Sequence, residues 1–220
     1  MAQMNAPVFP LANVVFFPHT FLPLHVFEPR YRAMVTDALR GERLIVVVLA
    51  REEHPPGRLP DIHAIGSVGR IEVTEALEDG RYNIVLRGLS RVALGELRAQ
   101  PADYFSVALE LRGEMLPDLQ DPRVADAKAD FLMTTRRYAE QVLAGGIGAD
   151  FLTEALPYAV LVNRAASILR VGVRSKQSLL ELDDVEARAA TIERWMIEQL
   201  ESHSSIGRFG DRRPRDPRVN

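Results

Sequence analysis

A chain of 220 residues with 27 Lys and Arg against 30 Asp and Glu, for a net charge of −3, has room for one sizeable core or two small packed units. Its 47% apolar and 26% charged residues exclude a wholly disordered chain, and the lack of any cysteine excludes disulfides, thiolate metal sites and cysteine nucleophiles. Five Arg and two Asp make residues 203–220 a +3 tail on a −6 body, and an acidic body argues against nucleic acid as the main partner.

In chain order, short runs rich in Val, Ile and Phe, broken by Pro and Gly, predict strands at 8–11, 14–17, 21–27, 43–50, 63–76, 81–87, 91–97 and 104–111. A helix interrupts them. Pro29 suits a first helical position, Tyr31, Met34, Val35, Ala38 and Leu39 share a face, and Gly41 stands where a helix stops. Residues 52–61, with three Pro and one Gly, read as an exposed loop, and Glu78-Asp79-Gly80 reads as a tight hairpin turn.

Near residue 115 the apolar period changes to that of helices. Asp121-Pro122 opens a long amphipathic helix through Phe131, Thr135, Tyr138 and Val142, which stops at Gly145-Gly146. Short helical pieces follow at 151–156, around Tyr158 to Leu169, and at 175–182. A last helix starts at Asp183, with Glu186 completing a capping box. From 203 onward Ser, Gly, Arg, Asp and Pro dominate, so this tail is expected to be disordered. The predicted division is a β domain at 1–115, a helical subdomain at 116–202 and the tail at 203–220. No stretch of about 18 apolar residues and no basic, apolar leader occurs, so the expected location is the cytoplasm.

Three segments of the β half carry a family resemblance. The first runs from Phe9-Pro10-Leu11 through Val14 to Phe17-Pro18 and on to Leu22-Pro23-Leu24 and Phe27-Glu28-Pro29-Arg30. The second is Ile65-Gly66-Ser67-Val68-Gly69-Arg70-Ile71, and the third is Gly88-Leu89-Ser90-Arg91-Val92. In order and spacing they resemble the N-terminal, substrate-binding domain of Lon proteases. Lys176-Gln177-Ser178-Leu179-Leu180-Glu181, followed by Asp183 to Arg188, resembles that domain's helical continuation. The resemblance implies an α+β fold: an N-terminal PUA-like β pseudobarrel with one inserted helix, followed by a C-terminal α-helical bundle. It also implies a non-catalytic, stand-alone module that binds unfolded or damaged polypeptides, with an ATP-dependent protease as a partner. An adaptor or regulator of a separate protease and an RNA-binding PUA-like protein are the alternatives.

Independently of the resemblance, the run Val14 to Leu22 holds too many consecutive apolar residues for one core. Phe16, Phe17, Phe21, Leu22 and His25 are therefore candidate peptide-binding residues, set against the simpler reading that they face the helical half. Nothing points to chemistry. The two lysines, Lys128 and Lys176, follow no glycine-rich phosphate loop and fall at helical positions spaced for polar faces. Ser67 lies within a strand. His19, His25, His54 and His63 lack the spacing of a metal pair, and the glycines at 145, 146 and 148 read as a helix stop. No cofactor and no metal are expected.

Overall fold

The computed structural model describes residues 5–52, 55, 58–118, 120–143 and 148–210. In chain order it contains β1 (Asn5–Leu11), β2 (Phe21–Val26), α1 (Pro29–Arg40), β3 (Leu44–Leu49), β4 (Ile65–Ala76), β5 (Tyr82–Leu94), β6 (Arg98–Ala99), β7 (Phe105–Arg112), α2 (Pro122–Val142), a single 3₁₀ turn (Ala149–Phe151), α3 (Tyr158–Ile168), α4 (Val173–Glu181) and α5 (Val185–Gly210). This is the α+β order expected.

Five strands close a ring. β1 pairs with β3 in parallel, β3 with β4, β4 with β5, the second half of β5 with β7, and β7 with β1. Strand β2 stands outside the ring, antiparallel to the first half of β5. Inside are small branched residues, Val8, Val46, Val48, Val68, Val92 and Val107, whose size suits a narrow barrel. All six residues of β3 are buried because both of its faces are covered. Its other face, Ile45 and Val47, meets Tyr31, Met34 and Val35 of α1 together with Ile71, Ile84 and Leu86.

The hairpin between β4 and β5 turns at Gly80, whose φ of +78° is open to glycine at no cost. Two strands were expected after it, at 81–87 and 91–97. They form one, β5, kept continuous through a register shift between Val68 paired with Ser90 and Gly69 paired with Gly88. The shift makes room for the segment after β1. A Cβ on Gly69 would stand 2.6 Å from the Phe16 ring, and one on Gly88 would stand 2.4 Å from the Phe17 carbonyl oxygen.

That segment, 14–17, was expected to be a strand and is not. It is apolar throughout like a buried strand but lies across the barrel wall, where the Ser67 hydroxyl donates to the Phe16 carbonyl at 2.5 Å. Phe16 points into the core under α1, and Phe17 into the core of the helical unit. The long apolar run thus serves two cores. Each ring is worth roughly 1.5–3 kcal/mol of burial.

In the helical unit α2 and α5 lie side by side and run the same way. Thr134 donates to Glu193 at 3.0 Å, and Tyr138 to Gln199 at 2.9 Å. Phe131 and Tyr158 meet edge to face at 6.0 Å. Asp121 caps α2 as expected, accepting from the Arg123 amide. The cap of α5 is one residue later than expected: Asp184, not Asp183, accepts from the amides of Glu186 and Ala187. Helix α5 also runs on to Gly210, past the point where the tail was to begin; residues 211–220 lie outside the described ones.

Candidate functional site

The fold leaves β4 and β5 with two different environments along their lengths. Where they leave the closed ring, alternation sends Leu22, Leu24, Ile84 and Leu86 to the α1 side and Phe21, Pro23, His25, Asn83, Val85 and Arg87 to the other. Across the strands Pro23 pairs with Val85 and Val85 with Val73, while His25 pairs with Asn83 and Asn83 with Glu75. Among the described residues no helix covers this side. Phe21 is 59% and Val73 57% exposed, and Phe27, just past β2, is exposed beside His25.

The centre of the face is a shallow depression of about 480 Å³ lined by Pro23, Leu24, His25, Val73, Glu75, Asn83, Ile84 and Val85. Its polar groups are tied to one another at the ends. Arg81 donates to His25 Nε2 at 3.1 Å, and His25 Nδ1 bonds Asn83 Oδ1 at 2.7 Å. Asn83 in turn donates to Glu75 at 2.7 Å, and Arg81 is paired with Asp79 at 2.6 Å. Because a guanidinium only donates, Nε2 accepts and the proton of His25 sits on Nδ1. At the other end Arg87 pairs with Glu72 at 2.6 Å, Glu72 being the extra residue of a bulge between Ile71 and Val73. The result is an apolar floor between two polar bars, in which Arg81 is paired with Asp79 and Arg87 with Glu72, while the Glu75 carboxylate accepts from the neutral Asn83 amide. It offers a partner apolar contact bordered by polar groups.

Where they belong to the closed ring, in the first half of β4 and the second half of β5, the same strands are sealed. Arg91 of β5, 1% exposed, reaches the corner between α4 and α5, donating to the carbonyls of Leu180 and Leu182 and to that of Gly113, and pairing with Asp183 at 2.9 Å. Arg188 of α5, fully buried, holds Glu114 and Asn163 at 2.7 Å each. Arg112 grips Asp183 with two bonds of 2.6 Å, and this hydrogen bonding, with Arg91 adding to it, holds the Asp183 carboxyl down at about 2. Gln177 of α4 donates to the Ile65 carbonyl at 3.0 Å. These groups fasten helices to barrel.

The sequence candidates divide accordingly. Phe16 and Phe17, 3% and 0% exposed, are core residues and line no groove, because Gly69 and Gly88 let the chain cross the wall between two cores. Phe21 and His25 lie on the open face, and Leu22 is half-buried on the α1 side. Val73, Val85, Pro23 and Asn83 went unnoticed. Their signal was the run Asn83-Ile84-Val85-Leu86, apolar at both parities in a strand with only one covered face.

Lys176 is also corrected: it is half-buried, donates to the Ser167 carbonyl at 2.6 Å, and has its pKa lowered by burial. His63 bonds Glu181 at 3.1 Å, and His19 sits elsewhere with a left-handed φ of 62°. His54 and the glycines at 145 and 146 lie outside the described residues. Among the described residues no cluster of three His, Asp or Glu is arranged to hold a metal ion, and no helix is long and apolar enough to cross a membrane. A second depression of about 540 Å³ runs along α2 at Ala125, Ala129, Met133 and Arg137, where Lys128 and Arg136 donate to the carbonyls of Glu154 and Leu152.

Residues 5–198 match the family model described as the ATP-dependent protease La (LON) substrate-binding domain. Lon protease 2 of Syntrophobacter fumaroxidans is 29% identical over 208 residues, covering 93% of this chain and 26% of that protein. Lon protease 2 of Myxococcus xanthus is 31% identical over 188 residues, 83% of this chain and 22% of that protein. The chain therefore spans about a quarter of the length of these relatives. Among solved structures, the N-terminal domain of Mycobacterium avium complex Lon protease superposes with a TM-score of 0.68 at 18% identity, covering 88% of this chain and 98% of that one. A Lon N-terminal domain protein from Xanthomonas campestris gives 0.59 at 23% identity, with coverages of 88% and 99%.

Proposed function

The chain belongs to the family of ATP-dependent protease La (LON) substrate-binding domains, and on that footing we propose that it is a non-catalytic polypeptide-binding module whose open β2–β5–β4 face takes up apolar segments of unfolded or damaged proteins. The observation that carries this reading is the pair of exposed side chains Phe21 and Val73 beside Pro23 and Val85, on a face with the ion pairs Arg81–Asp79 and Arg87–Glu72 at its ends. Exposed apolar surface rimmed by polar groups is the usual mark of a protein contact. The contact is non-directional, so it accepts many sequences. In this reading the module works in the cytoplasm, and an ATP-dependent protease consumes what it holds.

The test is the affinity of the purified chain for a fluorescently labelled, reduced and alkylated model protein that cannot refold, read by anisotropy. Central apolar contacts cost upward of about 1 kcal/mol when truncated, so Phe21→Ser and Val73→Ser should each weaken binding about fivefold or more. Wild-type affinity in both variants would remove this face from the account.

A further inference from the structure

We propose that the client is held as an added β-strand along the open edge of β2, which makes the preferred client an extended segment apolar on both faces. The inference rests on the reading of this face as the client site and adds the conformation and class of what binds there.

Strand β2 has β5 on one side and, among the described residues, no strand on the other. The amide of Gly88 donates to the Thr20 carbonyl and the Gly88 carbonyl accepts from the His19 amide, so the chain bulges at 19–20 and enters the ladder with Thr20 bonded opposite Gly88. By the alternation of an antiparallel ladder, Leu22, Leu24 and Val26 then bond to β5 and Phe21, Pro23 and His25 turn their main-chain groups outward. Pro23, with no N–H to give, sits where β5 asks for none. An open edge of this kind is completed by one kind of occupant, an extended main chain.

The side chains say which extended chain. Natural edge strands are guarded by charged residues, and β2, Phe-Leu-Pro-Leu-His-Val, has no Asp, Glu, Lys or Arg. Its outward face offers Phe21, and its α1 face offers Leu22 and Leu24, both only partly buried. A strand laid beside it would need apolar residues at both parities. Such continuous runs belong to the buried central strands of folded proteins and are displayed only when those proteins lose their structure. Pro23 removes one donor from the middle of the edge, which shortens any ladder between two copies of β2 while leaving the Phe21 and His25 amides to a client.

A short fluorescein-labelled peptide of Val, Ile and Thr with a Lys at each end serves as probe, beside the same peptide N-methylated along both of its edges. Both keep their side chains; the second cannot donate in a ladder. The proposal expects the unmodified peptide to compete with the unfolded model protein and the methylated one to bind about tenfold more weakly or worse. It also expects amide exchange at Phe21 and His25 to slow when the unmodified peptide binds. Equal affinity of the two peptides, or unchanged exchange at both amides, overturns strand addition while leaving side-chain docking on the face intact. Failure of the unfolded model protein itself to bind sinks instead the functional reading beneath it.

Discussion

The two halves of β5 are a natural experiment in how one strand can serve structure and function. Beyond Gly88, Arg91 faces α4 and α5, and its buried guanidinium is held by several partners. Before Gly88, Val85 and Asn83 face outward, and the ion pairs Arg81–Asp79 and Arg87–Glu72 stand at the two ends of the apolar floor. Buried guanidinium contacts accept one geometry and so fix how helices sit on the barrel. Apolar contact has no preferred direction, which suits a surface that must accept many partners. On the proposed reading, charge serves positioning here and apolar area serves recognition.

Breaking the sealed half should give the largest effects. Arg91→Ala leaves the Leu180 and Gly113 carbonyls without their buried donor, leaves Asp183 to Arg112 and empties the guanidinium's space, a loss of about 3–5 kcal/mol that urea denaturation would read as a lower midpoint. Phe17→Ala empties a site shared by barrel and helices and should cost a similar 3–5 kcal/mol or so, about as much as Phe16→Ala in the other core. If Phe17→Ala were nearly silent, the segment would not join the two units. Gly88→Ala, which drives a methyl toward the Phe17 carbonyl, should cost about 1–3 kcal/mol.

Acid sharpens the same contrast more gently. The Asp183 carboxyl is held at about 2 in the fold against an ordinary 3.8. Its contribution is therefore complete above its unfolded value and is lost as pH falls from near 4 toward 2. Stability measured across that window should slope less in Asp183→Asn than in the wild type. On the open half, Phe21→Ser should change stability least, within about 0.5 kcal/mol, because an exposed ring supports little.

Much of this architecture was legible because local chemistry and tertiary structure agree. Pro29 and Gly41 bracket α1, Asp121-Pro122 starts α2, and Gly80 turns the hairpin. The errors share a cause, which is that the apolar pattern does not say what lies on each side. Val14 to Phe17 is apolar throughout like a buried strand, but its two rings enter different cores and no described strand pairs with it. Asp183 looks like a cap until Arg91 and Arg112 arrive from other strands, and then Asp184 takes the role. The site was half visible for the same reason. Phe21 and His25 stood out in an aromatic-rich run, whereas Val73 and Val85 became a surface only when the ring closed without them.

The central claim, that the open half of these strands is where a client binds, is tested most directly by amide chemical-shift mapping of the whole chain titrated with an unfolded model protein. The account predicts shifts concentrated at Phe21, His25, Val73, Asn83 and Val85, with those of the α2 depression near Met133 left in place. Shifts confined to α2 and α5, with β2 unmoved, would contradict it.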